Sequence, residues 1–239
     1  MSAATELTLP FAGSVRALDG LPCRAYAAQA NVPVDFVEPA GWLTSAEQQS
    51  MPRACSGERR REWLGGRLLV KQILLDEGLV DDPCEVEVMA DLRGRPSVRR
   101  TGCASPLGDC SITHKRGRVA ALFTPDAHYR VGIDLEQVSS NFARLESCFM
   151  NADDDTSSPS DRALNAAVGW TLREGFSKAT GQAFAVLFDG LRCSRDGARW
   201  LIQHPSGAVA QGVVEEGRGW ITAWVSIRTC ILMSMGVFA

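Results

Sequence analysis

What this 239-residue chain lacks narrows its chemistry first. It has three histidines and eight cysteines, and neither kind is clustered. With no Cys-x-x-Cys pair and no His group, the spacing of a zinc site is absent. A Gly-x4-Gly-Lys loop is missing, and so is Gly-x-Gly-x-x-Gly, which removes the two common glycine-rich nucleotide cradles. No apolar run reaches the ~18 residues needed to span a bilayer, so no membrane association is expected. The opening Met-Ser-Ala-Ala-Thr-Glu-Leu-Thr has no positive start followed by an apolar stretch. It is not read as a secretory leader, and the thiols are expected to be reduced in a cytoplasmic protein. A net charge of -3 lacks the basic excess of nucleic-acid binders, so no nucleic-acid partner is expected and any anion site must be local. What remains, at 45% hydrophobic and 22% charged, is an ordinary globular composition, long enough for one large domain or two small ones.

Residues 1–20 carry few patterns and read as a loose lead-in. The segment 21–36 reads as a strand interrupted before Pro33, and Thr44 with Glu47 has capping-box spacing, which should open a short helix. From Glu58 to Gly78 an amphipathic helix is expected, with Trp63, Leu64, Leu68, Val70, Ile73, Leu74 and Leu75 as its apolar positions and Gly78 as its stop. Cys84 to Met89 alternates like a half-buried strand. Leu92 to Val98 is an arginine-bearing turn, and Ser111 to Phe123 reads as strand, tight turn at Gly117, strand. Residues 151–161 are polar enough for a mobile loop, after which Asp161 can cap a helix. Downstream, 184–193, 198–203 and 219–227 are strand-like.

Two acidic stretches stand out. In Val131-Gly-Ile-Asp-Leu-Glu136, Asp134 and Glu136 lie two apart and project to one face of a strand. In Trp170-Thr-Leu-Arg-Glu-Gly-Phe-Ser-Lys178, Glu174 and Lys178 share one face of a helix, while Trp170 and Phe176 serve the core side. Taken singly, these are also the marks of a surface salt bridge and of a strand leaving the core. Converging, three carboxylates suit a hard divalent cation, which keeps waters and phosphate oxygens in its shell.

A Gly-Ile-Asp-x-Glu strand followed by Trp-(Ser/Thr)-x-(Lys/Arg)-Glu-x-x-x-Lys resembles the signature pair of the Sfp-type 4'-phosphopantetheinyl transferases. The resemblance extends over roughly residues 43–180. It implies an α/β chain of the α+β kind, built as a pseudo-twofold pair of similar αβ subdomains, each a long helix on a small, mainly antiparallel sheet. The boundary would divide 1–123 from 124–239, with the site in the cleft between them. The spacing Trp-x7-Lys occurs in both halves, Trp63 to Lys71 and Trp170 to Lys178, and sets Arg67 opposite Glu174. The activity implied is transfer of 4'-phosphopantetheine from coenzyme A to a serine of an apo acyl or peptidyl carrier protein, by a monomer using Mg2+.

Residue by residue, the resemblance makes Asp134, Glu136 and Glu174 the metal carboxylates and gives Glu174 and Lys178 catalytic roles. Gly94-Arg-Pro96 matches the family's Gly-(Lys/Arg)-Pro turn and implies that Arg95 approaches a coenzyme A phosphate. Ser111-Ile-Thr-His114 matches (Asn/Ser)-(Ile/Leu)-(Ser/Thr)-His, implicating Ser111, Thr113 and His114 in coenzyme A binding, with His114 near the 3'-phosphate. Arg67, Lys71 and Lys178 would add positive charge. Arg59 to Arg61, or Arg116 and Arg118, could steer an acidic carrier. The chain departs from the pattern at Arg173, where Lys is commoner, and at Gly175, which costs up to ~1 kcal/mol of helix propensity. Gln182-Ala183 breaks the usual Gly-x-Gly, and the Phe-Ser-x-x-Glu of the intervening loop is missing. Two other readings stay open: a non-catalytic relative that binds coenzyme A or a carrier partner, and another Mg2+-dependent enzyme such as a pyrophosphohydrolase.

Overall fold

The computed structural model describes residues 14–156, 160–182 and 190–235. The first half contains β1 (Ser14–Ala17), β2 (Tyr26–Asn31), α1 (Ser45–Ser50), α2 (Gly57–Asp76), β3 (Val86–Ala90), β4 (Pro96–Arg100), β5 (Pro106–Lys115) and β6 (Arg118–Thr124). The second contains β7 (Tyr129–Gln137), α3 (Ser140–Leu145), α4 (Arg162–Thr180), β8 (Arg192–Asp196), β9 (Arg199–Gln203), β10 (Val209–Gly217), β11 (Trp220–Arg228) and α5 (Thr229–Ser234). The strands form two antiparallel sheets, ordered β1-β2-β6-β5-β4-β3 and β7-β11-β10-β9-β8. The class is α+β. No helix among the described residues is long and apolar enough to cross a membrane.

Local signals account for the helix ends. Thr44 and Glu47 close the capping box of α1. Ser56 accepts from the Arg59 N–H at the start of α2, and Asp161 accepts from the Leu164 N–H at the start of α4 at 2.9 Å. Helix α4 stops where Gly181 turns left-handed at φ 72° and donates to the Ser177 carbonyl.

Packing follows the two sheets. Helix α2 lays Leu64, Leu68, Leu69, Ile73 and Leu74 on the first sheet, and α4 lays Ala167, Val168, Leu172, Phe176 and Ala179 on the second. A third apolar cluster lies between the halves, where Ala120 and Leu122 of β6 meet Val131 and Ile133 of β7 and Trp224 of β11. Burial on this scale stabilises at roughly 25 cal/mol per Å² of apolar surface.

Helix α4 comes unusually close to β7. A Cβ placed on Gly132 would sit 1.9 Å from the Gly175 carbonyl oxygen, and one on Gly175 would sit 2.8 Å from Val225 Cγ2. The missing side chain of Gly132 is what lets the α4 main chain approach β7, and the helix propensity lost at Gly175 makes room for Val225 of β11.

The expected mobile loop is partly a correction. Among its described residues, Asp154 accepts from the Cys193 N–H at 2.6 Å and pairs with fully buried Arg173 at 2.6 Å, while Asp155 accepts from the Arg195 N–H. Arg173 therefore anchors that segment from beneath. The expected lead-in before Ser14, residues 157–159 of the loop, Ala183 of the Gln182-Ala183 pair, and most of the strand-like stretch 184–193 lie outside the described residues.

Candidate active site

Strand β5 shares its side chains between two neighbours, as a period of two dictates. Its even positions turn to the first half: Cys110 joins that core, Ile112 packs against Gly66 of α2, and His114 reaches Glu62 of α2. Its odd positions turn to β7, the edge strand of the second sheet. Asp109 accepts from the Val131 N–H at 2.7 Å, and Ser111 from the Ile133 N–H at 3.1 Å. Thr113 donates to Asp134 Oδ1 at 3.2 Å, and Lys115 pairs with Glu136. The free edge of β7 is satisfied here by side chains instead of by another strand.

This seam assembles the cluster expected from the sequence. Asp134 and Glu136 project from the same face of β7, and α4 supplies Glu174 and Lys178. Lys178 Nζ lies 2.7 Å from Asp134 Oδ1, 3.2 Å from Thr113 Oγ1 and 3.7 Å from Glu174 Oε2. These residues line a cavity of about 310 Å³ together with Ile112, His114, Lys115 and Leu135. Asp134 is 3% exposed, and its Oδ2 is buried with no hydrogen-bond partner among the described residues. An ionised oxygen left unpartnered inside a protein is costly, so Oδ2 is suited to a ligand that supplies positive charge.

The electrostatics agree. Burial pushes the Glu174 carboxyl up to about 7, and the negative charge of Asp134 adds to the rise while Lys178 opposes it. Burial also raises Glu136, against the pull of Lys115. For Lys178, burial favours the neutral amine, but Asp134 and Glu174 outweigh it and the ammonium is held above its ordinary range. Three carboxylates face two ammoniums when all are ionised. A divalent cation would convert that excess of negative charge into a seat for a phosphate ester.

A second cavity of about 310 Å³ adjoins the first through Ile112 and His114. Arg59, Trp63 and Arg67 line it from one face of α2, spaced four apart, with Gly94 and Pro96 opposite. The Arg67 guanidinium stacks on Trp63 at 3.5 Å, and burial lowers its pKa to about 10, so it stays charged at neutrality. His114 Nδ1 lies 2.8 Å from Glu62 Oε2, and Arg59 Nη1 approaches both ring nitrogens. Burial and the Arg59 charge push the His114 pKa down, against Glu62. A third cavity, of about 290 Å³ with Phe142, Leu145, Phe149 and Trp170 in its wall, adjoins the first at Lys115 and Glu136.

Three expectations need correction. Lys71 does not reach the cleft: its Nζ is fully buried, pairs with Glu47 at 2.6 Å and donates to the Trp42, Pro83 and Val86 carbonyls at 2.8–2.9 Å. Arg95 turns to the far end of the seam, where it pairs with Asp109 and donates to the Lys178 and Val131 carbonyls. Its guanidinium binds the two halves together and has little left for a phosphate. Ser111 is buried as the cap of the Ile133 N–H, and so is a seam residue. Thr113, Asp134, Glu174, Lys178 and His114 do come together, with Arg67 in the adjoining cavity. Glu136 lines the same cavity, yet among the described residues no group of three His, Cys, Asp or Glu is gathered closely enough to hold a metal ion.

Sequence reasoning missed Glu62 as the partner of His114 and Thr113 as the link between Asp134 and Lys178. It read Arg59 only as a steering charge. The row Arg59, Trp63, Arg67 at helical spacing was the available signal for that wall. No protein-family model matches the sequence, and no curated protein matches it.

Proposed function

We propose that this chain transfers the 4'-phosphopantetheine arm of coenzyme A to a serine of an apo carrier protein, with Mg2+ as cofactor. The observation that carries the reading is the junction of two unlike cavities: one acidic, with an unpartnered buried Asp134 oxygen beside Glu174 and Lys178, and one with the guanidinium groups of Arg59 and Arg67 beside the His114–Glu62 pair. A substrate with a pyrophosphate at one point and a further phosphate a nucleoside away matches that polarity. The pseudo-twofold relation of the subdomains 1–123 and 124–239 belongs to the same proposal.

The donor set fits Mg2+, which favours carboxylate oxygens and completes its shell with water and phosphate. Asp134 and Glu174 would hold it, and when bound it supplies charge neutralisation at the pyrophosphate. The remaining chemistry falls to the side chains. Arg59, Arg67 and His114 would fix the terminal phosphate of the nucleotide. Glu174 would take the proton of the attacking serine, directly or through a water, a contribution of typically 10²- to 10⁴-fold. Lys178, kept protonated by Asp134 and Glu174, would offer its N–H to the departing 3',5'-ADP. Thr113 holds Lys178 and Asp134 in register for this.

The test is incubation with coenzyme A, Mg2+ and a panel of apo carrier proteins, read by intact mass for the increment of about 340 Da that the cofactor's arm supplies. A gain that EDTA abolishes, and that Glu174→Gln reduces by at least about 100-fold while the fold persists, is the expected outcome. Hydrolysis of coenzyme A without any carrier would instead support a pyrophosphohydrolase. Near wild-type transfer by Glu174→Gln would refute its role.

A further inference from the structure

Three carboxylates reach the acidic cavity, but they are not equivalent. Asp134 presents a buried oxygen without a partner. Glu174 lines the same cavity and shares the Lys178 ammonium with Asp134, at 3.7 and 2.7 Å from Nζ. Glu136 stands one pleat further along β7, in register with Lys115 of β5 as Asp134 is with Thr113, and its carboxylate is taken by the Lys115 ammonium. Lys178 pairs with Asp134 and Glu174.

We propose that Lys115 withdraws Glu136 from the cation site, leaving Asp134 and Glu174 to hold the divalent ion. This rests on the reading that the cavity takes such an ion, and it refines which residues do so. Among the described residues no group of three His, Cys, Asp or Glu is gathered closely enough to hold a metal ion, and Glu136 is the carboxylate of the cavity that pairs with Lys115. Two side-chain ligands suffice for Mg2+, which is commonly bound by one or two carboxylates with water and substrate phosphate in the other positions. Lys115 is therefore a positioning residue. Lying where the acidic cavity meets the one walled by Phe142, Phe149 and Trp170, it keeps Glu136 on the boundary between them.

The experiment is Mn2+ binding to the full chain without coenzyme A or carrier, followed by electron paramagnetic resonance of the free ion, with Mg2+ competition. Thermal unfolding of each variant checks its fold. Asp134→Asn should weaken binding by about tenfold or more, the scale on which loss of a metal-site group acts. Glu136→Gln should stay within about twofold of wild type, because its carboxylate is already spent on an ion pair of modest strength. Lys115→Met should tighten binding by about two- to fivefold by releasing Glu136, the scale of a partly exposed ion pair. Adding Glu136→Gln to that variant should cancel the gain. If Glu136→Gln weakens binding as much as Asp134→Asn, or Lys115→Met leaves the affinity unchanged, the inference is wrong while the cation site stands. If neither wild type nor Lys115→Met takes up Mn2+, the inference and the cation reading fall together.

Discussion

Replacing Lys71 by Met should unfold this protein more easily and leave the proposed binding of coenzyme A unchanged. The side chain keeps most of its length and loses only the ammonium. In the folded chain that ammonium meets the Glu47 carboxylate and three main-chain carbonyls, all out of contact with water. Its loss leaves the Glu47 carboxylate fully buried, held only by the N–H groups of Thr44 and Val88 at 2.9 and 2.8 Å. Removing one partner of such a pair costs about 3–5 kcal/mol. At roughly 2–4 °C per kcal/mol for a chain of this size, the unfolding midpoint should fall by about 6–20 °C. Adding Glu47→Gln should recover part of the loss, because the stranded charge is then gone. Urea and thermal unfolding measure the first effect, and calorimetric titration with coenzyme A at a temperature where the variant is folded measures the second. A variant within about 1 kcal/mol of wild type that binds coenzyme A tenfold more weakly would return Lys71 to the cleft and refute this account.

Two further outcomes follow from the same reasoning. Arg95→Ala should lower stability by about 1–3 kcal/mol, since it takes one of two cationic partners from Asp109, whose pKa burial already raises, leaving Arg130 and the Val131 N–H, and frees the carbonyl of Lys178. Its kinetic signature should be a lower kcat with the coenzyme A KM unchanged; a raised KM at full stability would make it a phosphate ligand. The raised pKa of Glu174 means that the folded state holds the proton more tightly than the unfolded one, so stability is greatest below about pH 4.5 for this group and is lost as pH rises through about 7. The shift sets an upper limit of about 3 kcal/mol, reduced to roughly 1–2 by partial exposure. Glu174→Gln should therefore be more stable than wild type at pH 8 and indistinguishable from it at pH 4; equal stability at both would mean that the carboxyl is unperturbed.

How much of this was legible in the sequence depended on the range of the interaction. Helices α1, α2 and α4 were readable because their caps, periodicity and stops are local. Strands β5, β6, β7 and β11 were readable from alternation and from the turn at Gly117. Strand β10 was missed because Gly212, Gly217 and the Glu215-Glu216 pair disturb its pattern, and only pairing with β9 and β11 makes it a strand. In the site, Asp134 with Glu136, and Glu174 with Lys178, were legible as same-face pairs on regular elements. The equal spacing of Trp63 to Lys71 and Trp170 to Lys178 suggested equal roles, but spacing does not report what lies opposite. One lysine faces Glu47 and three carbonyls in the core, the other faces a cavity. Arg95 was misread for the same reason, since its partners Asp109, Val131 and Lys178 are remote in sequence.

The contact between Gly132 and Gly175 has a consequence for precision. Where a helix and a strand are kept apart by side chains, their spacing varies with every rotamer change between them. Here the carbonyl of Gly175 stands where a side chain at position 132 would be, so that spacing is set by direct main-chain contact. The two jaws that carry Asp134 and Glu174 are braced at a hard stop, one pleat from the first and one residue from the second. Their gape can be altered only by moving main chain.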